Sequence, residues 1–156
     1  MRHVAIAAAL VLFAGTAGAE MPAELDGFAI HPSGHSYPEL VERLDAAIEA
    51  SPLNKLSAAS ATVGARNLGQ EIPGNMVVHA FAPDFAIRML DASIAAGYEA
   101  PLRFYITENA DGTATLAYQP ASVVFAPYED GGEPLKTLAA ELESIQTDIA
   151  EQAVGE

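Results

Sequence analysis

The chain has no cysteine and no tryptophan, and it carries only seven Lys and Arg against 21 Asp and Glu in 156 residues. Without cysteine there are no disulfides, iron–sulfur clusters, thiol nucleophiles, thiolate zinc sites or covalent c-type haem attachment. The shortage of cations leaves a surface that repels phosphate, which excludes nucleic acid and anionic lipid as partners. Long apolar runs are also missing. The one pronounced run, Val4 to Ala14, is well short of the roughly 20 residues a spanning helix needs.

That short run has a specific setting. Arg2 precedes it and Ala17-Gly18-Ala19 follows it. A basic residue, an apolar segment and a small-x-small cut site are the parts of a secretory signal peptide. We therefore expect residues 1–19 to be a leader cleaved after Ala19, with export to the periplasm or beyond and no membrane association after cleavage. The absence of cysteine at the cut argues against a lipid anchor. Residues 20–156 then form one domain of 137 residues (156 less 19) with six cations against 21 acids, a net charge of −15.

Alternation over 28–33 predicts a short edge strand, with Pro32 confined to such a position. In "SYPELVERLDAAIEA", Ser36 is placed as an N-cap, Glu39 completes a capping box and Pro38 sits in the first turn. Leu40, Val41, Leu44 and Ile48 share one helical face. A strand at 53–58, a short helix at 62–68 and a turn at 73–75 come next. The run 76–81 is apolar on both faces and predicts a central strand. Pro83 and Asp84 open a second long helix with Phe85, Met89, Leu90 and Ile94 as its buried stripe and Gly97 as its stop. Residues 102–118 read as a hairpin turned at Asp111-Gly112. A loop follows, then a C-terminal helix over 133–150 whose Leu135, Leu138, Leu142, Ile145 and Ile149 form a seam that needs a partner, either the domain's own sheet or a second chain. The order β-α-β-(α)-β-α-β-β-α predicts an α+β fold: a small mixed sheet with helices packed on one face.

Four segments in this order, "SYPELVERLDAAIEA", "FAPDFAIRML", "APLR" and "DGTATLAY", resemble the domain of unknown function 302 family, over roughly residues 28–120. The resemblance implies an α+β domain with helices on one face of a single sheet, often a homodimer, and no established reaction. Many relatives carry cysteines where this chain has Phe81 or Ala82 and Leu102. Any thiol or metal role of those cysteines cannot carry over.

Among residues able to do chemistry, His79 stands out. It lies inside the apolar strand, on the face shared by Val77 and Phe81. A neutral imidazole there is a candidate ligand for the iron of a non-covalent haem b or for another metal. The ordinary alternative is a buried histidine bonded to a neighbour. Arg103 and Tyr105 share a strand face. Arg103 could hold a carboxylate or haem propionate, or simply pair with one of the many acids. If the hairpin register brings Tyr118 alongside, then His79, Arg103, Tyr105 and Tyr118 line one open sheet face. His31 and His35 are expected in a surface loop. Ser36 is committed as a cap, and Ser57 and Ser60 have no base nearby in sequence. The expected function is therefore an exported domain that binds an unidentified small molecule or partner without catalysis, as a homodimer. The alternative is an interaction module dimerising through the C-terminal helix.

Overall fold

The structure, a computed structural model, describes residues 20–155. The expected leader at 1–19 lies outside them. The elements run β1 (Ala29–Ser36), α1 (Tyr37–Glu49), β2 (Asn54–Ala59), α2 (Ala61–Asn67), β3 (Asn75–Phe81), α3 (Pro83–Ala92), β4 (Leu102–Glu108), β5 (Thr113–Tyr118), α4 (Ala121–Phe125) and α5 (Gly132–Val154). One five-stranded sheet has the order β1-β5-β4-β3-β2. The α+β class holds, and the pairings are antiparallel throughout rather than mixed. The reason lies in α1. It carries the chain from one edge of the sheet to the other, so β1 and β2, which a helical crossover could have set side by side in parallel, are separated by three strands.

Strand alternation decides which face the helices cover. On β4, Leu102, Phe104 and Ile106 are buried, while Arg103 between them is exposed. Phe104 is opposite Val78 and Tyr118, and Ile106 is opposite Met76 and Leu116. These residues make the covered face. Leu40, Leu44 and Ile48 of α1 and Leu138, Leu142 and Ile149 of α5 complete the same core, each aliphatic side chain contributing about 1.5–3 kcal/mol on full burial.

The seam of α5 meets its own domain. Leu135, Leu138, Leu142 and Ile149 are at most 2% exposed, against α1, α3, α4 and the sheet. The apolar stripe offered as a dimerising surface is therefore already covered within one chain. The helix also runs past its expected end at 150. Arg43 of α1 extends it, donating from Nε to the Ala153 carbonyl at 2.7 Å and from its terminal nitrogen to the Gly155 carbonyl at 2.5 Å. A cation there satisfies carbonyls that the helix end leaves without partners.

Three local expectations change. Ser36 is the N-cap of α1, but its side chain makes no capping bond. Glu39 turns instead to His35 Nδ1 at 3.0 Å. Helix α3 stops at Ala92, short of Gly97, because Ser93 is extended (φ −151°) and its hydroxyl donates to Asp130. Of the expected α3 stripe, Phe85 and Met89 are buried, while Leu90 and Ile94 are exposed. The segment after the hairpin, expected as loop, contains the short helix α4. This short helix hangs on Gln146, which is fully buried in α5. Gln146 accepts from the Ala121 N–H at 2.8 Å and donates to the Gln119 carbonyl at 3.1 Å.

Candidate functional site on the open sheet face

The uncovered face of the sheet is organised in rows across the strands. Cα partners run Ala59–Val77–Tyr105–Ala117–Ile30, one residue from each strand. This row is apolar except for one phenol, and at strand spacing it spans about 19 Å. On one side lies the polar row Ser57–His79–Arg103. On the other lies Asn75–Thr107–Thr115–Pro32. The three rows follow from period-2 alternation of the strands once antiparallel register has aligned them.

A groove of about 660 Å³ follows the apolar row. Val77, Tyr105 and Ala117 form its floor, Ala59 to Ala61 stand at the β2–α2 side, and Phe28 and Val124 at the other. The volume is in the range of small-molecule sites. Two charged residues line it, Arg103 and Glu99. Glu99 Oε1 accepts from the Tyr128 hydroxyl at 2.6 Å, and this bond raises the Tyr128 pKa above its ordinary value. The Arg103 guanidinium is 3.7 Å from Glu99 Oε2, with 54% of the arginine side chain exposed. That separation is too long for a strong charge-assisted hydrogen bond, so the guanidinium keeps donors available to a ligand.

The four expected site residues take three positions. Arg103 and Tyr105 face the groove. His79 lies on the same sheet face, directly opposite Arg103, but is not among the residues lining the groove. It is half-buried rather than core, and its Nδ1 is 3.1 Å from Ser57 Oγ. Tyr118 is among the residues lining the groove, but its ring packs on the covered face, which corrects the expectation that it shares the open one. Its register partner is Phe104 on the covered face, and its ring stacks on His31 at 5.6 Å and 8°. Its hydroxyl is 3.2 Å from Thr147 Oγ1 of α5, and burial raises its pKa. Arg103 and Tyr118 have opposite parity relative to this register, so they cannot share a face. His31 and His35 are also corrected. Both lie in β1 rather than a loop. His35 reaches the Gly155 carbonyl through Nε2 at 2.8 Å. His31 is half-buried, and desolvation lowers its pKa.

The Ser57–His79 contact is invisible in one dimension, because 22 residues separate the pair. Only β2–β3 register brings them together. It does not make a nucleophile. No carboxylate bonds the far nitrogen of His79 among the described residues, so the orienting third member of a catalytic triad is missing. No group of three or more His, Asp and Glu positioned to hold a metal ion occurs among the described residues. A metal on His79 would thus have one protein ligand, as a five-coordinate haem iron does.

A family model described as "Domain of unknown function DUF302" matches residues 30–153. A solved structure, the crystal structure of the uncharacterised conserved protein DUF302 from Bacillus stearothermophilus, superposes with a TM-score of 0.73 at 18% identity. It covers 83% of this chain and 99% of that one. No curated protein matches.

Proposed function

This chain belongs to the DUF302 family, and from that premise we propose that it is an exported, non-catalytic binding domain whose small-molecule ligand lies in the groove of the open sheet face. One observation carries the proposal: an apolar groove over the half-exposed Val77 and Tyr105, on the sheet face that the helix layer leaves uncovered, bounded by polar rows and by one accessible guanidinium. Uncovered apolar floor is costly to hydrate, and a ligand that removes it from water gains about 25 cal/mol per Å² before ordering costs.

Haem b is the specific ligand to test first. Ser57 engages Nδ1 of His79 and leaves Nε2 for iron, while Arg103 opposite could receive a propionate. The porphyrin would have to extend beyond the groove, past Arg103, to reach that nitrogen. Haemin titration of the mature chain should then produce a Soret band that His79→Ala abolishes. A spectrum equal to free haemin throughout removes haem and leaves the groove open to other ligands. Export follows from the leader at 1–19: secreted protein analysed by mass spectrometry should begin at Glu20.

A further inference from the structure

We infer that the ligand class of this groove is a long-chain monocarboxylate, with its hydrocarbon along the cross-strand apolar row and its carboxylate on Arg103. The inference rests on the groove being a ligand site. Three features select the class. The first is shape. The groove runs from Ala59 on β2 over Val77 and Tyr105 toward Phe28 and Val124, so its apolar floor is elongated across the strands. An elongated apolar floor suits an extended acyl chain.

The second is charge. Arg103 is the one cation lining the groove, and it lies in the row immediately beside the strip. Its neighbour Glu99 is engaged by Tyr128 and only 20% exposed. A head group arriving from solvent therefore meets the guanidinium before the carboxylate. The third is the character of the neighbouring polar row. Arg103 and His79 are cross-strand partners on β4 and β3, and Ser57 Oγ lies 3.1 Å from His79 Nδ1. The row beside the strip, Ser57–His79–Arg103, thus presents a guanidinium and no carboxylate, and an ionised acid pairs with it more strongly than an alcohol does.

The test uses three probes of equal chain length: dodecanoic acid, dodecanol and dodecylamine. Each is titrated into the mature protein below its micelle concentration. Binding is read by calorimetry and by tyrosine emission, which no tryptophan obscures. The acid should bind about tenfold or more tighter than the alcohol. Arg103→Gln should collapse that ratio while leaving alcohol affinity in place, and the uncharged Val77→Gln should weaken acid and alcohol alike. Circular dichroism checks that both variants fold. An alcohol that binds as tightly as the acid overturns the carboxylate and spares the groove. An amine that binds tightest overturns it by assigning recognition to Glu99. If no probe binds, the groove falls with the ligand class.

Discussion

Gln146 offers a direct way to perturb the groove wall from the core. It is fully buried on α5, and its amide satisfies the Ala121 N–H and the Gln119 carbonyl where β5 turns into α4. Leucine at this position is similar in volume but removes both bonds. The Ala121 N–H is buried and would lose its partner outright, at about 1–3 kcal/mol. The Gln119 carbonyl is half-buried and can recover water, so its loss should cost about 1 kcal/mol. Added apolar burial returns about 1 kcal/mol. The balance for Gln146→Leu is a loss of about 1–3 kcal/mol, or a urea midpoint lower by about 0.5–2 M at unchanged slope. Gln146→Glu keeps an acceptor but buries a charge, which raises that carboxyl's pKa. Its deficit should be smaller at pH 5, where the neutral acid prevails, than at pH 7. Gln119 and Val124 border the groove on this side, so ligand affinity should fall with stability in Gln146→Leu. A leucine variant as stable as the parent in urea would refute the bridging role.

Two further outcomes are expected. Burial holds the folded His31 pKa below 6.5, so the unfolded chain binds the extra proton first as pH falls. Stability should therefore decrease below about pH 6.5 and level off beneath the folded pKa. Glu151 works against this by favouring the charged ring. His31→Phe, which keeps a ring against Tyr118, should flatten that part of the urea-midpoint profile between pH 7 and 5. Leu142→Ala, at a fully buried seam position, should cost about 2–5 kcal/mol without changing the mass seen by light scattering. A shift in oligomeric state in this variant would restore the helix as an intermolecular surface.

The sequence disclosed elements wherever local physics acts alone. Pro38 and Pro83 mark helix starts, Gly112 takes the positive φ of the hairpin turn, and alternation over 102–107 separates covered from open residues. The outcome at Arg103 and Tyr105 was legible for that reason. Tyr118 was not, because its face depends on β4–β5 register, which a one-residue slip at the hairpin turn reverses. Ser57 beside His79 likewise needs pairing between strands 22 residues apart. The α3 stripe failed at Leu90 and Ile94 because helical spacing shows which residues share a face, while the tie from Ser93 to Asp130 decides where the helix stops. The seam of α5 was visible in full, yet the sequence left open whether the sheet or a second chain covers it.

The claim that the open face is a ligand site is tested most directly by amide shift mapping of the mature protein during dodecanoate titration. Saturable shifts should centre on Val77, Arg103, Tyr105 and Ala117, across three neighbouring strands. Shifts confined instead to the exposed apolar residues Ile87, Ile94 and Tyr98, with the sheet unmoved, would contradict it.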